Sequence, residues 1–101
     1  MSQNSELPQS FCVRKLKVLA DTTRLAVLEI LMEGPKYVGE LNVVLGLEQS
    51  LLSHHLKVLR QEGFVEATRD GKAVLYSLTP AVQRAKAGRV IDLGCCFLSF
   101  E

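Results

Sequence analysis

A chain of 101 residues makes one compact domain and no more. Twelve Lys and Arg against eleven Asp and Glu leave a formal charge of +1, which neither requires nor excludes a nucleic-acid partner. With 48% hydrophobic and 23% charged residues the composition excludes a largely disordered chain, and no apolar run approaches the ~20 residues of a membrane span.

The stretch Met1–Ser10 is polar and lacks a basic segment followed by an apolar core, so it does not read as a signal peptide. A cytoplasmic protein with thiols reduced at rest is expected, with no membrane partner. Residues 1–9 are expected to form a flexible tail and residues 10–101 the domain.

From Phe11 to Ala20, Cys12, Leu16 and Leu19 recur at i, i+4 and i+7, which predicts a first amphipathic helix, α1. Asp21 is a good N-cap for α2, whose Leu25, Leu28, Leu31 and Met32 run to the stop at Gly34-Pro35. Val38, Leu41 and Leu45 predict a short α3 ended by Gly46. Next comes α4 over Gln49–Gln61, with Leu51, Leu52, Leu56 and Leu59 facing inward.

Phe64–Arg69 and Ala73–Leu78 are strand-like runs around Asp70-Gly71, a strong hairpin signal. Thr79-Pro80 reads as an N-cap with Pro at the first helical position, opening α5 through about Ile91. The fold expected is mainly α with a β-hairpin, in the order α1-α2-α3-α4-β-β-α5. Two short helices joined by a Gly-containing turn and followed by a hairpin describe a winged helix-turn-helix.

That order gives α4 a function to test. A helix that reads DNA docks by an apolar face and presents hydrogen-bonding side chains to base edges and phosphates. Gln49, Ser50, Ser53 and His54 cluster in its N-terminal part, Lys57 and Arg60 can add phosphate contacts, and Arg69 and Lys72 bracket the hairpin tip. Alone, α4 reads first as an amphipathic helix with a solvated polar face; the short α3, the Gly turn and the basic-tipped hairpin turn the reading to double-stranded DNA. His54 and His55 project about 100° apart on a helix and make a poor metal pair by themselves. No C-x-x-C motif, phosphate-binding Gly loop or nucleophile–base arrangement marks an enzyme.

The runs Leu19-Ala20-Asp21-Thr22-Thr23-Arg24-Leu25, Val38-Gly39-Glu40-Leu41, Gln49 to Leu59, Gly63-Phe64-Val65, Arg69-Asp70-Gly71-Lys72 and Tyr76 resemble the ArsR/SmtB family of bacterial repressors over about Leu16–Pro80. The resemblance implies a homodimer through α1 and α5 that binds a palindromic operator and is released by a metal, metalloid or redox signal. It places Gln49, Ser50, Ser53 and His54 at DNA-reading positions, Arg69 and Lys72 on the wing, and His55 at a structural position.

Many relatives that sense soft metals carry cysteines in α3, but Glu40–Leu45 has none, and Pro80–Asp92 has no histidine and one carboxylate. Direct ligation therefore falls to Cys12, Cys95 and Cys96. Thiolates select soft ions, and three sulfurs suit As(III) or Sb(III) better than Zn(II), which wants four ligands. The family's dimer suggests a site joining Cys12 of one protomer to the vicinal pair of the other. The expectation is a repressor released when arsenite or antimonite is ligated, with no cofactor required. The alternatives are a redox or persulfide switch pairing Cys12 with Cys95 or Cys96, and a winged-helix interaction module that senses nothing. Cys12 by itself reads as core before it reads as a ligand, since it sits on the apolar stripe of α1 and free cysteine packs as a small hydrophobe.

Overall fold

The computed structural model describes residues 8–83 and 89–100. In chain order these form α1 (Pro8–Leu19), α2 (Thr22–Leu31), β1 (Lys36–Tyr37), α3 (Val38–Leu45), α4 (Gln49–Gln61), β2 (Val65–Asp70), β3 (Ala73–Leu78), β4 (Val90–Asp92) and β5 (Phe97–Ser99). Of the expected tail, residues 1–7 lie outside the described residues, while Pro8 and Gln9 already belong to α1.

Local chemistry sets each boundary. Asp21 is extended and its Oδ1 accepts the backbone N–H groups of Thr23 and Arg24 at 2.9 and 3.0 Å, which starts α2. Between α3 and α4 the side chain of Asn42 behaves like a piece of backbone: its Oδ1 accepts the Leu47 N–H at 2.8 Å and its Nδ2 donates to the Leu47 carbonyl at 2.9 Å. This double bond fixes the turn that sets α4 against α3.

The core joins Val27, Leu28 and Leu31 of α2, Leu41 of α3, Leu52, Leu56 and Leu59 of α4, and Phe64, Val65, Tyr76 and Leu78 of the wing region. Leu51, expected to face inward, is 43% exposed, because the buried arc of α4 is narrower than its run of leucines. The wing is the antiparallel pair β2–β3, and β1 adds to the other side of β3, giving the order β1-β3-β2. Asp70 pairs with Ala73, so the loop residues are Gly71 and Lys72, one position beyond the expected Asp70-Gly71. Gly71 has φ +63° and Lys72 no positive φ, the pattern of a type II′ turn with glycine at its first central position.

The last element differs from expectation. Where α5 was expected, the Val82 and Gln83 N–H groups bond back to Thr79 and Pro80 at 3.2 Å each, a single tight turn. Residues 84–88 of the expected helix lie outside the described residues, and beyond them β4 and β5 pair as a hairpin. The physical reason is local. Val90 and Ile91 are β-branched, and Asp92 Oδ1 accepts the Gly94 N–H at 2.8 Å, closing an Asx turn that a helix would forbid. Gly94 holds φ +91° and a Cβ there would stand 3.2 Å from the Phe11 ring, so the hairpin loop lies directly on α1. Among the described residues the fold is a winged helix-turn-helix that ends in a C-terminal hairpin, with Val90 and Ile91 of the expected α5 lying in its first strand.

Candidate DNA-reading face and thiol centre

At 100° per residue, Gln49, Ser50, Ser53, His54, Lys57 and Arg60 fall within an arc of about 140°, and all six are exposed. Leu52, His55, Leu56 and Leu59 are buried on the opposite arc. Glu48 is the N-cap and makes no side-chain cap bond; its Oε1 accepts instead from the Ser50 hydroxyl at 3.2 Å. Arg69 and Lys72 are exposed at and next to the wing tip. Gln49, Ser53 and Lys72 line one concavity, together with Tyr37 and Tyr76. Helix α4 and the wing thus border the same hollow.

The two histidines part company. His54 is exposed, whereas His55 is buried at 7% and its Nδ1 accepts from Arg24 Nε at 3.1 Å. Arg24 also donates through Nη1 to the Val18 carbonyl at 3.1 Å, so a single guanidinium links α1, α2 and α4. His55 is a packed, structural histidine, as the resemblance implied.

The three cysteines meet within one chain. Cys12 and Cys95 are joined as a disulfide across 83 residues of sequence. Cys96 is a free, exposed thiol whose sulfur lies 3.7 Å from Cys12 Sγ and 3.8 Å from Cys95 Sγ. All three sulfurs lie within 4.8 Å of one another. The hairpin loop explains this. It turns back at Gly94 against Phe11, one residue before Cys12, and so lays the vicinal pair beside α1. A site divided between protomers is therefore not needed to gather the three thiols.

Around this centre α1 grips the C-terminal end of α4. Lys15 Nζ donates to the Glu62 carbonyl, lies 3.7 Å from Glu62 Oε1, and sits 5.2 Å from the ring centres of both Phe11 and Phe64. Arg14 Nε adds a 3.3 Å contact to the same carboxylate.

Residues 21–67 match the model of the family described as bacterial regulatory protein, arsR family. The HTH-type transcriptional regulator CmtR of Mycobacterium tuberculosis is 36% identical over 88 residues, covering 87% of this chain and 75% of that one. The chain belongs to the arsR family.

As an arsR-family member it is a DNA-binding transcriptional regulator and not an enzyme. The transcriptional activator HlyU of Vibrio cholerae is 36% identical over 93 residues, covering 92% of this chain and 86% of that one. The solved structure of reduced HlyU superposes with a TM-score of 0.70 at 37% identity, covering 77% of this chain and 82% of that one. The homodimeric winged helix-turn-helix domain of Mb0332 from Mycobacterium bovis superposes with a TM-score of 0.67 at 28% identity, covering 77% and 72%. No helix among the described residues is long and apolar enough to cross a membrane.

Sequence reasoning missed Arg24, Lys15 and Tyr37. A buried histidine facing an arginine across two apolar helix faces was a usable signal for the first. The other two act across long separations that no spacing records.

Proposed function

We propose that this arsR-family chain is a repressor that binds a palindromic operator as a homodimer and is released when arsenite or antimonite is ligated by Cys12, Cys95 and Cys96. The convergence of three sulfurs from α1 and the C-terminal hairpin carries the reading. A soft trivalent ion offers three bonds to thiolates, and the chain supplies three thiolates with no histidine or carboxylate among them. The centre accepts such an ion only with Cys12–Cys95 reduced, and ligation then ties the hairpin to α1 through the ion instead of through a sulfur–sulfur bond.

In this reading Gln49, Ser50, Ser53 and His54 meet base edges, while Lys57, Arg69 and Lys72 meet phosphates. Dimerisation is supported by the uncovered apolar side chains of α1, where Phe11, Val13 and Leu16 are 39, 48 and 45% exposed, and by the homodimeric Mb0332 domain. In this reading the exposed apolar face of α1 contributes to the dimer surface.

A second reading is favoured by the Cys12–Cys95 bond itself: a dithiol switch whose oxidation or persulfidation changes operator affinity. The solved form of HlyU described as reduced supports a thiol response of this kind. Cys96 separates the two readings. Operator release is titrated with arsenite, antimonite, cadmium, zinc, diamide and polysulfide on the wild type and on Cys12→Ser, Cys95→Ser and Cys96→Ser. Loss of the arsenite response in all three variants supports metalloid sensing, whereas a diamide response kept in Cys96→Ser and lost in Cys12→Ser and Cys95→Ser supports the dithiol switch. Release by arsenite from a variant lacking all three cysteines overturns it.

A further inference from the structure

Tyr37 is held at both ends. Its backbone N–H donates to Glu40 Oε1 at 2.8 Å, at the N-terminus of α3. Its hydroxyl donates to Asp70 Oδ2 at 2.5 Å. Tyr37 belongs to β1 and Asp70 to β2, and β3 lies between these strands. In register Tyr37 opposes Leu75 and Leu75 opposes Thr68, so the side chain crosses the central strand diagonally towards the tip. Asp70 closes the two-residue loop that carries Lys72 and follows Arg69 directly. Tyr37 and Lys72 share the hollow of about 330 Å³ that Gln49 and Ser53 also line.

We propose that Tyr37 is a positioning residue for DNA binding, a brace that fixes the wing tip, and with it Arg69 and Lys72, relative to the recognition helix. A two-stranded ribbon beyond its last packed pair is free to twist, and ordering it during binding subtracts from affinity. The brace orders it beforehand. It also engages the Asp70 carboxylate from the side of β1, so that this negative charge is held by a donor instead of standing free beside Arg69 and Lys72. The bond is charge-assisted. Asp70 accepts the phenol proton and its charge opposes a phenolate, which raises Tyr37 above its ordinary 10.0, so the brace is intact at neutral pH. The inference rests on the wing touching the DNA backbone.

The test measures operator affinity against salt for the wild type, Tyr37→Phe, Asp70→Ala, Asp70→Asn, the pair Arg69→Ala/Lys72→Ala, and that pair combined with Tyr37→Phe. Tyr37→Phe is expected to weaken binding about three- to tenfold, and to lower the log–log salt slope by about 0.9 per lost phosphate contact. Melting temperature should not move, since both partners are exposed. Asp70→Ala should bind more weakly than Asp70→Asn, which matches it in charge but keeps an acceptor for the hydroxyl. In the Arg69→Ala/Lys72→Ala background Tyr37→Phe should add nothing.

Wild-type affinity and slope in Tyr37→Phe, with Arg69→Ala/Lys72→Ala weakened, overturns the brace alone. A Tyr37→Phe loss that persists undiminished without the two cations overturns it too. Unchanged affinity in Arg69→Ala/Lys72→Ala removes the wing contact and the brace with it.

Discussion

Lys15 of α1 donates its ammonium to the carbonyl oxygen of Glu62, the residue that ends the recognition helix, from between the rings of Phe11 and Phe64. One turn earlier on the same helix stands Cys12, bonded to the C-terminal hairpin. A short rigid segment thus carries both the thiol centre and a grip on α4.

Lys15→Met keeps the side chain's length and removes its charge and donors. It should destabilise the fold by about 1–2 kcal/mol, the sum of one charged hydrogen bond and modest cation–π attraction. Urea unfolding at neutral pH reads this directly. The same variant should bind arsenite with unaltered thiol stoichiometry while its operator affinity changes less than that of the wild type.

Ser53→Ala or His54→Ala should cost ~1–3 kcal/mol of operator affinity if the side chain contacts a base, with little change in stability. His55→Ala should do the reverse first: it empties a buried site and strands the Arg24 Nε donor. Its unfolding free energy should fall by about 2–4 kcal/mol. Electrophoretic shift and thermal unfolding on the three variants separate these roles. Wild-type DNA affinity in both exposed-site variants would mean that another face of α4 reads the operator.

Asp21 gives a pH prediction with a definite sign. Burial alone would raise its carboxyl, but the Arg24 N–H, the nearby His55, the Thr23 N–H and the Arg24 charge together hold it below its ordinary 3.8. A depressed carboxyl contributes stability that is fully present above 3.8 and is lost as pH falls through the folded-state value. Asp21→Ala should cost ~1 kcal/mol at neutral pH through the lost cap. Asp21→Asn keeps the cap acceptor, so it should be milder at neutral pH and show a shallower loss of stability in acid.

Asn42→Ala removes both bonds to Leu47 at the turn between α3 and α4. A loss of about 1–3 kcal/mol is expected, together with weaker operator binding even where the folded fraction is corrected for. Asn42→Asp retains the acceptor alone and should fall between the two.

The helix-turn-helix was legible because its signals are local: the Asp21 cap, the Gly46 stop after α3, and a polar stripe on Gln49–Gln61 with leucines opposite. Those bounds for α4 coincide with the observed helix. The C-terminal segment misled because Thr79-Pro80 does start a turn of helical character, while the competing signals, Val90-Ile91 and the Asp92 to Gly94 turn, lie ten residues on. The cysteines were legible as a set but not as a place. Only the folding of the hairpin onto Phe11 brings positions 12 and 95 together, and side-chain spacing along a chain carries no trace of such a contact. Tyr37 was invisible for the same reason, since its partner sits two strands away.

The Cys12–Cys95 bond spans 83 residues and so turns most of the polypeptide into a closed ring. On a chain-entropy account, closing a loop of that size removes freedom from the unfolded state worth about 4–5 kcal/mol, comparable to a small domain's whole margin. The oxidised regulator is therefore unfolded for a smaller fraction of the time than the reduced one, and a protease nick within the ring leaves the pieces tethered. Thiol status would then govern how long each regulator molecule survives.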